Sequence, residues 1–459
     1  MTRPGCFALA AVVSGALAAT LLPRAPAGLG FVLVALTLAV AAAPAARPAD
    51  RIRSGLLGLL ALALAASAAL RDAGWVVAGE LTGAVVLGSI AIGAPRNWRT
   101  IAVASVAPAL RLPSGARRVL AAAPRAVPSG STGHAVAVGR GLLLAATLLV
   151  IFGALFASGD RAFAQFAGDL LPNDAPLDDM LLRVAVFGLV TSLAGALTLA
   201  AGVADEDARP PLLRLGSVEW RLALGALNLL FALFVAVQLA VLFGGDGYVR
   251  DSAGLTYAEY ARSGFAQLVV VAGLTLALVG GALRWARTAS DRQARLLRAL
   301  LGALCLLTLV VLASALHRLG LYEQAFGFTR TRLAVHALLL FGGAIFVLVL
   351  VALASGRREW LARATVVLGA VAAFAFWVAD PDRRIATHNV ERYESTGRID
   401  VDYLGGLSAD AVPALMRLPA PLRKRALRRQ RDRLARRHDG FAGHNVARMR
   451  AREAIAASP

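Results

Sequence analysis

The chain has 459 residues, of which 58% are hydrophobic and only 17% are charged. A water-soluble domain covers its core with a larger share of charged side chains, so this composition excludes an ordinary globular protein and predicts an integral membrane protein. The net charge of +20 comes with no nucleic-acid recognition motif, which argues against a nucleic-acid partner. In a membrane protein this charge indicates cytoplasmic loops and contact with the lipid bilayer through anionic headgroups.

Apolar runs recur along the chain at lengths close to the about 20 residues that a bilayer-spanning helix needs. Because backbone polar groups in lipid must be bonded within their own segment, the sequence predicts an all-α polytopic transmembrane helical bundle. The predicted spans, about eleven, are 6–22, 28–46, 55–70, 75–93, 141–157, 183–203, 222–243, 264–283, 299–316, 333–354 and 364–379. Those at 55–70, 141–157 and 364–379 are marginal in length.

The first apolar run has two interpretations. Arg3, a short apolar stretch and the small residues at Ala16–Ala18 are typical of a secretory signal peptide. The next run begins only a few residues later, which favours a helical hairpin. Both interpretations stay open at this point.

Arginine counts in the connecting segments predict the orientation, because cytoplasmic loops carry the excess of basic residues. The segments 47–54, 94–140, 204–221, 284–298 and 355–363 hold 21 arginines, whereas 23–27, 71–74, 158–182, 244–263 and 317–332 hold 8. We therefore expect a cytoplasmic N-terminus and, after eleven spans, an extracytoplasmic tail. The basic end of the tail would suit the anionic cytoplasmic leaflet, although long domains cross regardless of charge.

Composition divides the chain into five predicted regions. They are four N-terminal transmembrane helices at 1–93, an Arg-rich cytoplasmic linker at 94–140, a transmembrane core of about seven helices at 141–379, a polar helical tail at 380–416 and an Arg-rich C-terminal end at 417–459.

Familiar catalytic motifs do not occur in the sequence. There is no phosphate-binding GxxxxGK[ST] loop, no HExxH zinc motif, no GxSxG elbow and no kinase set. Cys6 and Cys305 lie in apolar runs without metal-ligand spacing, so we predict no metal, no cofactor and no disulfide framework. The sequence leaves an enzymatic activity uncertain and gives it no positive support.

Polar residues inside the predicted spans are the next clue, because each is costly in lipid unless it is paired or functional. Four of them fall in the outer half of the bilayer, namely Glu80, Gln238, Gln267 and His336. Asn228 lies toward the inner side. Glu80 is the only carboxylate well inside a predicted span.

Two predicted outer loops carry mixed aromatic and charged residues. The first contains Tyr257, Glu259, Tyr260 and Arg262, and the second contains Tyr322, Glu323 and Arg332. We predict that these residues form one outward-facing polar patch, joined by Asn389, Glu391 and Arg392 of the tail. The simpler interpretation is interfacial anchoring, because Tyr and Arg sit well at headgroups.

These segments also carry a family resemblance. The string Thr256-Tyr-Ala-Glu-Tyr-Ala-Arg262, the segment at 317–332, the string Asn389-Val-Glu-Arg-Tyr393 and the segment at 402–415 resemble the signature of domain-of-unknown-function family 4173. The sister family 4153 is similar. The resemblance covers about residues 140–415 and implies a bacterial polytopic membrane protein. It implies no catalytic residue.

Three function classes follow from these observations. The first is an inner-membrane protein whose outward-facing patch binds a small ligand, a lipid headgroup or a protein partner. The second is a transporter with a path lined by Glu80, Gln238 and His336, although the inner half offers little besides Asn228. The third is a membrane enzyme acting on a lipid-linked substrate at the outer face, with Glu80 or Glu259 as its acid or base.

Overall fold

A computed structural model of the protein describes residues 4–46, 51–95, 97–122, 177–203, 216–243 and 265–457. These residues form helices joined by turns, and no β-strand occurs among them, which confirms the predicted all-α fold. The predicted span at 141–157 lies outside the described residues, as does the outer loop that contains Glu259.

The helices are α1 (Pro4–Leu21), α2 (Leu29–Ala42), α3 (Arg51–Ala65), α4 (Ser67–Leu70), α5 (Gly74–Gly93), α6 (Trp98–Leu110), α7 (Leu112–Ala122), α8 (Leu177–Leu199), α9 (Ser217–Phe243), α10 (Phe265–Trp285), α11 (Asp291–Phe326), α12 (Arg330–Ser355), α13 (Leu361–Val378), α14 (Pro381–Thr396), α15 (Val401–Gly405), α16 (Val412–Leu415), α17 (Ala420–Arg436) and α18 (Val446–Ala456). Short 3₁₀ turns occur at Ala43–Ala45, Ala200–Val203 and Ala409–Ala411.

Seven helices of the described residues are long and apolar enough to cross a membrane, which confirms a polytopic transmembrane bundle. They are Ile52–Leu70, Gly74–Gly93, Leu182–Leu199, Ser217–Ala236, Asp291–Phe326, Arg330–Ser355 and Leu361–Val378. Three shorter apolar helices lie at Cys6–Leu21, Leu29–Ala45 and Val269–Trp285. Two of the predicted spans that were marginal in length, 55–70 and 364–379, therefore belong to helices of sufficient length.

The long helix α11 extends past the predicted span at 299–316. Its 36 residues measure about 54 Å at 1.5 Å per residue, against a hydrocarbon core of about 30 Å. Its ends therefore reach the polar interface, where they can carry charged side chains.

The described residues fall into two compact units. Unit 1 contains the helices before residue 206, the short segment Ser408–Asp410 and the end of the chain from Arg429. Unit 2 contains 207–407 and 411–428, so α17 begins in unit 2 and its last residues belong to unit 1. The boundaries of these units differ from those of the five regions predicted from composition, and the five regions stay predictions.

Unit 1 is held by close helix packing. A Cβ added at Gly195 of α8 would lie 2.2 Å from the carbonyl oxygen of Gly115 in α7, so the two backbones touch and only glycine fits. The segment 94–110, expected in the cytoplasmic linker, contains α6. Asn97 begins this helix by accepting a hydrogen bond from Thr100 N at 2.9 Å.

Unit 2 is built around α11, which packs against α9, α10 and α12. Its core includes the fully buried Leu301, Leu304, Cys305 and Phe346. Trp220 is buried at the start of α9 and donates its indole N–H to the carbonyl of Arg287 at 3.1 Å. The hairpin formed by α11 and α12 places the candidate site at its turn.

Candidate functional site

The turn between α11 and α12 requires glycine and a capping threonine. Gly327 ends α11 with φ +78°, a backbone region that side chains rarely adopt. A Cβ at this position would also lie 2.1 Å from Asn389 Oδ1. Thr329 begins α12, because its hydroxyl accepts a hydrogen bond from Arg332 N at 3.3 Å.

Asn389 of α14 clamps this turn. Its amide group donates to the carbonyl of Phe328 at 2.9 Å and accepts from Phe328 N at 3.1 Å, which satisfies both backbone groups of that residue. The Phe328 ring stacks on His388 with centroids 4.2 Å apart. These contacts fix α14 against the hairpin turn.

Arg392, one turn further along α14, caps the end of α11. It donates to the carbonyls of Gln324, at 3.0 Å, and Ala325. A cation suits this position, because the last carbonyls of a helix lack intrahelical partners and carry partial negative charge. Asn389 and Arg392 thus both contact the segment 317–332, and the binding patch that they were predicted to join stays a prediction.

A second set of contacts, which the sequence analysis missed, fixes the first residue of α12. Arg330 forms a bidentate ion pair with the fully buried Asp382, with Nε donating at 2.9 Å. Its backbone N–H donates to the hydroxyl of Tyr403 at 2.8 Å. Burial raises the pKa of Tyr403, and the hydrogen bond from Arg330 opposes part of that rise. One sequence signal was available for this part of the site. Pro381 and the acidic Asp382 directly follow the last span, and this pair is typical of the first turn of a helix, here α14.

Glu323 and His336 are the residues of the site whose side chains have buried polar atoms without a hydrogen-bond partner among the described residues. The Glu323 side chain is 3% exposed and that of His336 is 35% exposed. Glu323 Oε2 lies 3.6 Å from His336 Nδ1, beyond hydrogen-bond distance. Among the described residues, neither Glu323 Oε1 nor His336 Nδ1 has a hydrogen-bond partner. A buried polar group in this state is costly unless a bound molecule completes it.

Arg332 lies beside this pair. Its guanidinium covers the ring of Tyr322 at 4.2 Å from the centroid and donates to the carbonyl of Gly327. Arg332 and His336 are four residues apart on α12 and so share one helical face. We call Tyr322, Glu323, Arg332 and His336 the hairpin patch.

The remaining predicted site residues have different positions. Glu391 pairs with Arg417 at 3.5 Å, in an exposed position. Four residues, Tyr257, Glu259, Tyr260 and Arg262, lie outside the described part of the chain. The side chains of Gln238 and Gln267 are likewise not among those described, although both positions are helical. Glu80 belongs to unit 1, where its side chain is buried.

Unit 1 contains a polar cluster of its own that the sequence analysis did not predict. Asp410 accepts hydrogen bonds from Asp72 N at 2.8 Å, Ala73 N at 2.9 Å and the hydroxyl of Ser408 at 2.9 Å. Because Asp72 and Ala73 directly precede α5, this carboxylate satisfies free N–H groups at the start of that helix.

Arg448 completes the cluster from the C-terminal end of the chain. It pairs with Asp72 at 2.8 Å and with Asp439 at 2.7 Å, and its side chain is 1% exposed. Asn445 donates to the carbonyls of Ala68 and Arg71, at 2.9 and 2.8 Å. We call Asp72, Asp439, Asn445 and Arg448 the tail latch. These contacts place the end of the chain beside loop 71–74 in unit 1.

Comparison with known proteins gave one positive result. No curated protein and no solved structure matches the chain. A family described as a domain of unknown function (DUF4153) matches residues 58–418, which is most of the chain and includes the hairpin patch. This is the sister family of the predicted resemblance, and the match gives no result for family 4173. The chain therefore belongs to the family of domain of unknown function DUF4153.

Proposed function

We propose that the protein is a multi-pass protein of the bacterial inner membrane whose outward-facing hairpin patch binds an amine-bearing lipid headgroup. The arginine count of 21 against 8 supports the orientation, because it assigns loop 317–332 to the outer side. The resemblance to family 4173 supports the bacterial origin.

The observation that carries the proposal is the pair of Glu323 and His336, which lie close together without a hydrogen bond between them. One carboxylate oxygen of Glu323 is buried without a hydrogen bond, and the half-exposed His336 leads to it from the surface. A protonated amine carries three donors and a positive charge, so one such group can bond the carboxylate. Binding would recover the free energy that an unpaired buried carboxylate costs.

A lipid is the natural source of this amine, because of where the patch lies. Glu323 is three residues from the end of α11, a helix long enough to reach the polar interface. Phosphatidylethanolamine presents a primary amine and a phosphate at that depth. Arg332, one helical turn from His336, is placed to donate hydrogen bonds to the phosphate, since its guanidinium has donors beyond the one given to Gly327.

The test compares two lipids that differ only in the methylation of nitrogen. The full chain in nanodiscs of phosphatidylglycerol is supplemented with phosphatidylethanolamine or phosphatidylcholine, and retained lipid is counted by native mass spectrometry. We expect retention of phosphatidylethanolamine alone, because the quaternary nitrogen of phosphatidylcholine has no N–H. Free ethanolamine as a competitor distinguishes a small ligand from a headgroup.

One variant removes the proposed binding group, and a second variant serves as its control. Glu323→Gln should weaken phosphatidylethanolamine retention about tenfold to a hundredfold, because a hydrogen bond to a charged group contributes about 1.5–3 kcal/mol and 1.4 kcal/mol is tenfold. Glu391→Gln, an exposed carboxylate paired with Arg417, should leave retention unchanged. Equal retention of both lipids, or equal effects of both variants, would refute the proposal.

A further inference from the structure

Glu80 is a buried carboxylate inside a helix that can span the membrane. The helix α5, Gly74–Gly93, carries no other charged side chain over its 20 residues. Glu80 lies six residues from the start of the helix, which is about 9 Å along its axis at 1.5 Å per residue. The side chain is 5% exposed, and its Oε2 atom has no hydrogen-bond partner among the described residues.

The described neighbours of Glu80 form no ion pair with it. The helix α5 packs against α3, α4, α6, α8 and the turn at Ala200–Val203. The charged residues on or next to these elements are Arg51, Arg53, Arg71, Asp72, Arg99, Arg111, Asp178, Asp179 and Arg183. No ion pair joins Glu80 to any side chain that the structure describes, and Arg71 lies near Asp410, at 4.0 Å. The nearby carboxylate of Asp72 is bound by Arg448.

A second polar group without a hydrogen-bond partner lies at the start of α4, directly after α3. A Cβ at Gly83 would meet Leu64 of α3 at 3.3 Å, which fixes the register of the antiparallel pair α3 and α5. Three residues toward the start of α5 lies Glu80, and three residues beyond Leu64 lies Ser67. The Ser67 hydroxyl is fully buried and also has no hydrogen-bond partner within the described ranges. Two unsatisfied groups thus occupy the same level of unit 1.

From this geometry we infer that Glu80, at the level of the buried Ser67, is a proton-binding site within the membrane span of unit 1. An ionised carboxylate in an apolar site without a partner costs far more than the neutral acid, so the acid form is the one that fits here. A glutamine or leucine would pack in this place without the cost of ionisation, which argues for a functional carboxyl group.

A metal cation fits this site less well than a proton. Calcium takes six to eight oxygen ligands and magnesium demands near-octahedral coordination. No group of three or more His, Cys, Asp or Glu side chains with metal-binding geometry occurs in the part of the chain that the structure describes. The inference is independent of the headgroup proposal, because it concerns another unit and another carboxylate.

Dicyclohexylcarbodiimide, an apolar reagent that modifies protonated carboxyl groups, tests the inference. The acid proton moves to one carbodiimide nitrogen, and the carboxyl oxygen adds to the central carbon to give an O-acylisourea. The acyl group then migrates to nitrogen to give a stable N-acylurea, so the peptide gains the whole mass of the reagent. Trypsin cleavage at Arg71 and Arg96 gives a peptide that contains Glu80 but not Glu323. The peptide also contains Asp72, so fragmentation of the labelled peptide assigns the modified residue.

We expect the full chain in nanodiscs to be labelled on this peptide, with a rate that falls about tenfold per pH unit above the titration midpoint. The Glu80→Gln variant should show no label there. Asp382, which is fully buried but ion-paired with Arg330, should stay unlabelled and serves as an internal control. A labelling rate that does not change with pH would mean a permanently neutral structural group and would overturn the inference.

Infrared spectroscopy covers the case in which the reagent cannot reach the site. The wild-type minus Glu80→Gln difference spectrum should contain the carbonyl stretch of a protonated carboxylic acid, and this band should disappear reversibly as the pH rises. A titrating band supports the proton site even without labelling. Absence of both the band and the label would show that Glu80 is ionised and would refute the inference.

Discussion

Arg448 joins the end of the chain to two loops of unit 1, and we predict that Arg448→Met releases this end. The arginine donates to Asp72 at 2.8 Å and to Asp439 at 2.7 Å. Its remaining donors bond the carbonyls of Ala27, at 3.0 Å, and Gly443. Methionine fills a similar volume and makes none of these hydrogen bonds.

The structure sets the expected size of the effect. Removing one partner of a buried ion pair costs about 3–5 kcal/mol, because the other charge is left unpaired. Asp72 keeps Arg437 at 3.2 Å and Asp439 keeps Arg452, so we expect the lower end of that range. At 1.4 kcal/mol per factor of ten, about 3 kcal/mol raises the population of the undocked end about a hundredfold.

Hydrogen exchange followed by mass spectrometry measures this population locally. In Arg448→Met, amide exchange in residues 22–30, 66–74 and 438–450 should accelerate by about that factor. The matched control is Arg450→Met, which removes an exposed arginine from the same helix α18. Equal exchange rates in the two variants would show that the buried arginine does not hold the end of the chain.

Three further predictions concern the hairpin turn and the tail. Gly327→Ala should destabilise the turn by about 1–3 kcal/mol in thermal unfolding, because φ is +78° and the new Cβ would meet Asn389. Tyr403→Phe should cost about 1 kcal/mol through the lost hydrogen bond to the first amide of α12. Since the pKa of Tyr403 is raised, this advantage of the wild type should be complete below pH about 10 and be lost as the pH rises through the folded-state pKa; a constant difference at all pH values would contradict it. The exposed Ser395→Cys, in a background without the exposed Cys6, should react with an impermeant maleimide in intact spheroplasts, and labelling only after lysis would reverse the predicted side.

The helices were predictable from sequence because the bilayer imposes a length on every apolar run. The helices that contain the marginal runs at 55–70 and 364–379 proved long enough, because turns and polar ends extend the apolar cores. The cluster around Glu323 was predictable in part, since aromatic and charged residues at a span end mark an interface.

The ion pairs of the site and of the tail latch were not predictable, because their partners are far apart in the sequence and no local pattern indicates the pairing. Arg330 and Asp382 are 52 residues apart, and Arg448 and Asp72 are 376 apart. Each arginine was counted only as basic charge in a loop or tail. Its actual role depends on a partner whose position follows from the fold alone, and a bidentate pair of this kind is one that lysine could not form.

The contacts of the tail constrain how many times the chain crosses the membrane. The constraint can be derived for each unit by itself. In unit 2, Asn389 of α14 bonds the turn residue Phe328, so the chain must return to the same membrane face after leaving it along α12. Only a second crossing by α13 allows this, and its 18 residues measure about 27 Å, close to the hydrocarbon thickness. In unit 1 the tail latch touches Ala27, just before α2, and Arg71, just after α4. With the candidate spans as they are, this requires two crossings between these positions, one by α2 and one by Ile52–Leu70. Within each unit, the tail segments therefore share a face with the predicted outer loops of that unit, and the arginine asymmetry predicts that these loops are extracytoplasmic.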